Sequence, residues 1–388
     1  MRQFRHISNK CYFFLAASVV ILTTAWDTTF AETETEAFTN TQPSLALADA
    51  EFSEAWVDDA SDSCASCNNS PCACEPSLGI FPNDWPPGVL QRLFHERYPD
   101  GSCWSFSTDA VFFWRNAPPA RPLANLFNGV DTVPGLDANQ LESAAAVGPR
   151  FRVLHTDACG NGAEFIYLRA ANFRSQKLLE SPGLASQFEP ADLFGNTNQS
   201  FTEADVNLGS QFQTFEANSR TTIGKGSLTF LAGFRWFEFR EAFTMNTSSP
   251  PLATYDYISS TMNSLYGGQV GIDALLLTSQ RFAINSWIKG GAYYNNAVQH
   301  TAYQSNLSPP ASFTNAVSGI PAAGSFVGEV GLNGRLSITH AIAFRFGYTG
   351  LWLQSIALAT QQLSDQNALQ PNAGTVLQGV HLGLEGTW

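Results

Sequence analysis

The sequence predicts an all-β protein: a single closed, antiparallel transmembrane barrel of about ten strands. Three observations predict it. Apolar residues recur at every second position over most of the chain, the connections between these stretches are short and long in turn, and the chain ends on an alternating stretch closed by an aromatic. Composition fits, because 44% of the 388 residues are hydrophobic and 14% charged, which excludes disorder throughout. Beyond the first thirty residues, however, no apolar run approaches the ~20 residues a spanning helix needs. The net charge of −13, with 20 Lys plus Arg, argues against a nucleic-acid partner.

The N-terminus sets the compartment. Arg2, Arg5 and Lys10 precede an apolar stretch over 11–25, and Thr29-Phe30-Ala31 supplies small residues where a signal peptidase reads. Residues 1–31 therefore read as a signal peptide for export, an uncleaved membrane anchor being the alternative. Residues 32–100 read as an acidic, Cys- and Pro-rich periplasmic segment, with eleven acidic residues and no Lys or Arg from Glu32 to Gln91. One short helix is expected over 86–97, where Val89, Leu90, Leu93 and Phe94 share a face. Cys64, Cys67, Cys72 and Cys74 suit disulfides in an exported protein; zinc is the alternative, at a spacing tighter than that of a finger. This segment is free to touch other envelope components.

Residues 101–388 form the barrel. Ten alternating stretches cover 105–115, 148–156, 163–179, 205–218, 225–243, 257–278, 281–302, 321–339, 341–360 and 375–388. In the eighth, Phe326, Val330, Leu332, Leu336 and Ile338 oppose Glu329, Asn333, Arg335 and Ser337. In the fourth, Val206, Leu208 and Phe212 oppose Asp205, Asn207, Gln211 and Gln213. In the seventh, Trp287 and Tyr293 fall on the polar side; in the ninth, Phe344, Phe346, Tyr348, Trp352 and Ile356 oppose Arg345 and Thr349. The expectation is that each apolar face meets lipid. Connections at 116–147, 180–204, 244–256, 303–320 and 361–374 are long and those between them short, the rhythm of an outer-membrane barrel with turns at one rim and loops at the other. Closure pairs every backbone group in lipid and removes edges. A soluble secreted β-sandwich is the alternative without a membrane.

Val380, Leu382, Leu384 and Trp388 form the closing stretch, which resembles the C-terminal signal that outer-membrane proteins present to their insertion machinery. Together with the stretches at 231–236, 266–273 and 346–353, it resembles the β-barrel porins of planctomycete bacteria. The resemblance covers roughly residues 101–388 and implies an outer-membrane barrel in the lipid bilayer, with no catalytic residues. With both termini periplasmic, Cys103 precedes the first strand and Cys159 sits in the turn after the second, so a Cys103–Cys159 disulfide is expected at that rim, two unrelated rim cysteines or pairing with the Cys64–Cys74 cluster being the alternatives.

Function is expected from the inward face. Asp109, Arg152, Arg235, Asp273, Lys289, Glu329, Arg335, Arg345 and Glu385 are the candidate lumen-lining residues, either paired into a network or flanking a narrow aqueous path. No nucleophile elbow, zinc-protease motif or phosphate loop occurs in the chain. His155, His340 and His381 stand near the periplasmic rim, where His155 beside Asp157 reads as a rim hydrogen bond. No enzyme activity, cofactor or metal is expected. Ten strands lie nearer the packed eight-stranded barrels than the open porins, so the expected function is a narrow channel for small solutes. A structural or surface-interaction barrel without conductance is the alternative.

Overall fold

The computed structural model describes residues 103–388 except 128–129, 158–159, 182–186, 191–199, 224–226, 250–252, 280, 307–311, 320–323, 340 and 364–368. The expected signal peptide, the acidic segment with its four cysteines, the helix expected over 86–97, Cys159 and His340 lie outside the described residues.

The strands in chain order are β1 (Cys103–Arg115), β2 (Pro122–Phe127), β3 (Thr132–Asp137), β4 (Ala146–Thr156), β5 (Gly162–Glu180), β6 (Gln187–Pro190) and β7 (Glu203–Ile223). They continue as β8 (Leu228–Ser249), β9 (Ala253–Thr278), β10 (Phe282–Ser305), β11 (Ser312–Gly319), β12 (Ser325–Ser337), β13 (Ile342–Ile356) and β14 (Ala373–Thr387). Ten of them close one antiparallel barrel in the order β1-β4-β5-β7-β8-β9-β10-β12-β13-β14, with β14 returning to β1. The seam is sealed at its end by Trp104 and Trp388, each donating its N–H to the other's carbonyl, at 2.8 and 2.9 Å. The ten stretches read from alternation are these ten strands.

Four strands lie outside that count. β2, β3 and β6 make a small sheet within the long connections, and β11 folds back on the end of β10. The connection expected over 244–256 is instead largely strand, since β8 runs to Ser249 and β9 begins at Ala253. Its Thr- and Ser-rich composition looked like loop but supports a two-stranded extension whose outer face is polar.

A row of aromatics divides the barrel. Tyr167, Phe215, Trp236, Tyr266 and Tyr294 are successive cross-strand partners over β5, β7, β8, β9 and β10, and all point outward. The row next to them, toward the loops, is Gln213, Glu238, Ser264 and Asn296. On the side of the chain termini the outward residues are apolar: Phe230 and Phe234 on β8, Val270 on β9, Ile288 on β10, Val330 and Leu332 on β12. This is an apolar band with an aromatic girdle at its edge, the profile of a wall that stands in lipid.

Beyond the girdle both faces invert. Along β7, Val206, Leu208 and Phe212 are buried inside the barrel while Asp205, Asn207, Gln211 and Gln213 face outward. The expectation that the apolar face of this stretch meets lipid is therefore wrong, because this half of β7 lies past the girdle and is surrounded by water. Ile356 departs too: a bulge at Ser355, with φ 59°, shifts the register and turns Ile356 fully inward.

Candidate functional site: the lumen

Inward positions on the terminal side of the girdle carry charge. Arg235 on β8 is 1% exposed; it donates to Glu329 Oε2 at 2.9 Å and to Thr214 Oγ1 at 3.0 Å, with Glu216 at 3.6 Å. Lys289 Nζ donates to Glu216 at 2.8 Å and stands 3.8 Å from Glu329. The Trp287 indole N–H donates to Glu329 at 2.8 Å. That indole occupies the space a Cβ on Gly331 would need, 2.1 Å away, so glycine is required there.

Gln269 and Asn218 extend the network from Glu216 toward Glu164. Glu164 receives Arg152 and Arg220, both at 2.7 Å, and Arg220 also reaches Asp273 at 2.8 Å. On the opposite wall Glu385 receives Arg335 at 2.8 Å and Arg345 at 2.9 Å, while Asp109 lies 3.7 Å from Arg345 and 4.0 Å from Arg150. Buried charges of both signs held by short charge-assisted bonds make a rigid polar layer, and removing one partner strands the other.

All nine candidate lumen residues occupy inward positions. Asp109, Arg335, Arg345 and Glu385 meet on one wall, and Arg152, Arg235, Asp273, Lys289 and Glu329 are linked through Glu164 and Glu216 on the other. Sequence reasoning missed Arg150, Glu164, Glu216 and Arg220. A signal for three of them was present, since Arg150, Glu164 and Glu216 each adjoin an outward aromatic, Phe151, Phe165 or Phe215. Of the histidines, His381 points inward to Asn333 at 3.2 Å, while His155 packs its ring against Trp104.

Next to the charged layer the lumen is filled by hydrocarbon. Phe113, Phe173, Phe212, Phe237 and Phe239 are each at most 2% exposed and pack with Leu351, Leu353 and Leu377. Phe212 stacks on Phe237 at 5.4 Å and meets Phe113 edge-on at 5.3 Å.

Above this layer the chain itself enters the barrel. Ala357, Leu358, Ala359, Thr360 and Leu363, which follow β13, are 0% exposed. Their backbone is received by side chains of the wall: Asn263 both donates to and accepts from Ala357 at 2.7 Å, Ser259 donates to the Ala359 carbonyl, and Glu241 accepts its N–H at 2.6 Å. Glu241 is itself ion-paired with Arg115. A buried loop is tolerable only when its polar groups find partners in this way.

No protein-family model matches the chain, and no curated protein matches it. Among solved structures the chain is similar to the outer membrane protease OmpT from Escherichia coli, at 9% identity over 74% of this chain and 96% of that one, with a TM-score of 0.38. It is also similar to an anion-selective porin from Comamonas acidovorans, at 12% identity over 74% and 98% of the chains and a TM-score of 0.17. A third is the toluene transporter TodX from Pseudomonas putida, at 7% identity over 74% and 89% and a TM-score of 0.18. These likenesses concern the β-barrel and assign no activity.

Proposed function

We propose that the protein is a bacterial outer-membrane β-barrel, channel-like in architecture, whose lumen is sealed at rest. The observation that carries this reading is the girdle: the wall is apolar outside and charged inside on one side of it, and the reverse on the other. The seal rests on the Phe113–Phe212–Phe237 layer and on the inserted residues 357–363. A narrow channel for small solutes would then open only when that segment moves. The extension past the membrane, with its extra strands β2, β3, β6 and β11, favours a second role as a surface that meets outside partners.

Planar-bilayer recording of the purified barrel tests the reading. Wild-type protein is expected to be silent or nearly so. Deletion of residues 357–363 is expected to produce conductance if the segment is a gate, whereas silence in both assigns the barrel to the structural role. Large, long-lived conductance of the wild type would overturn the seal.

The rest of the organisation follows as part of the same proposal: export through residues 1–31, a periplasmic segment over 32–100, assembly guided by Val380, Leu382, Leu384 and Trp388, and membership of the planctomycete porin family. The proposed Cys103–Cys159 disulfide is supported by register, since Cys103 faces Thr156 across β1 and β4, three residues before Cys159. Non-reducing peptide mapping of exported protein is expected to recover the two cysteines in one linked fragment.

A further inference from the structure

The charged layer surrounds a cavity of about 40 Å³. Its lining is strongly basic: Arg150, Arg152, Arg220, Lys289 and Arg345 against Glu164 and Asp273. Counted over the whole layer among the described residues, Arg235 and Arg335 bring the cations to seven, and Asp109, Glu216, Glu329 and Glu385 bring the carboxylates to six. One positive charge is in surplus, and the geometry identifies it. Six of the seven cations have a carboxylate oxygen within 2.9 Å.

Arg150 is the seventh. Its nearest carboxylate, Asp109, is 4.0 Å away and is also shared with Arg345. Arg150 is 7% exposed, makes no hydrogen bond to the described residues, and lies with its guanidinium 5.5 Å from the centre of the Trp287 ring, on the cavity wall. The Arg150 guanidinium brings five donors to the cavity wall with no hydrogen bond to the described residues, and Arg345 Nε on the same wall is buried without an acceptor. The space holds about three water-sized groups, the scale of a tetrahedral oxyanion. Arg152, Arg220 and Asp273 are partly exposed, so the cavity communicates with the end of the barrel that carries the termini.

We infer that this cavity is a binding site for a small oxyanion of the phosphate or sulfate class, with Arg150 as its principal ligand and Arg152, Arg220, Lys289 and Arg345 as the surrounding positive field. The strand wall separates the site from lipid, so the ligand is a free anion and not a lipid headgroup. The inference does not depend on whether the barrel conducts.

Calorimetric titration of the full-length barrel in detergent with sodium phosphate, and separately sulfate, at ionic strength fixed with sodium chloride, is expected to show saturable binding of one anion. Arg150→Met is expected to weaken it at least tenfold, the loss of a charge-assisted hydrogen bond or two, with folding checked by heat-modifiable migration on gels. Should Arg150→Met not fold, Arg150→Lys, which keeps the charge but loses the planar fork, is expected to give a severalfold loss. Absence of saturable binding by the wild type, or unchanged affinity in a folded Arg150 variant, would refute the site. So would phosphate binding seen only through phosphatidylglycerol added to the micelles, which would place it on the outer wall.

Discussion

Strand β8 crosses both halves of the barrel, and on either side of Trp236 it is built by opposite rules. Toward the termini Phe230 and Phe234 face outward while Thr229 and Arg235 face in. Toward the loops Glu238 and Asn246 face outward while Phe239, Phe243 and Met245 face in. Period-two alternation is unbroken through the change. What changes is the surrounding medium: where the wall stands in hydrocarbon, apolar side chains gain nothing by turning inward and charge must be enclosed; where it stands in water, the ordinary hydrophobic effect returns. One strand thus behaves as a membrane protein for part of its length and as a soluble one for the rest.

That contrast can be broken most severely in the charged layer. Arg235→Met leaves Lys289 as the one cation shared by Glu216 and Glu329 and is expected to destabilise the barrel by about 3–5 kcal/mol, read as a lower denaturant midpoint of the refolded protein in detergent. A small effect there would mean that water already fills the layer. The outward face gives a paired test on the same strand. Ala232→Arg, at an outward position midway between Trp236 and the start of β8, is expected to lose about 2–4 kcal/mol, because it places a charge deep in lipid, while Asn246→Arg stays within about 0.5 kcal/mol. Equal losses at the two positions would erase the membrane boundary drawn at Trp236. Among the three disruptive substitutions the smallest loss is expected at the plug. Asn263→Ala removes both bonds to Ala357 and is expected to lose about 1–3 kcal/mol, seen most directly as faster hydrogen exchange over residues 357–363 with the barrel strands unchanged.

The ten barrel strands were legible because alternation survives in both media, and the candidate lumen residues on β12, β13 and β14 were legible because these strands lie mostly on the lipid side of the girdle. The same rule misassigned β7, where Val206, Leu208 and Phe212 turn inward beyond it. The short strands β2, β3, β6 and β11 left no trace in the sequence, since strands of four to eight residues owe their existence to the neighbours they pair with. Glu164 and Glu216 were overlooked although they are the acceptors on which Arg152, Arg220, Arg235 and Lys289 converge. Arg150 passes the same alternation criterion as Arg152, two residues along one face.

By itself the sequence determined the strand count, the antiparallel order of neighbours and the two-faced character of each strand, because these follow from a local period and from connection lengths. Only the tertiary structure decided which face is inside, how the charges are partnered and what fills the lumen. Those depend on the height of each residue relative to the girdle and on contacts between residues far apart in the chain: Arg235 finds Glu329 across 94 positions, and Glu241 finds Ala359 across 118. Alternation carries no information about height. The girdle supplies it, but its five aromatics come from five strands and become a row only when the sheet pairs them.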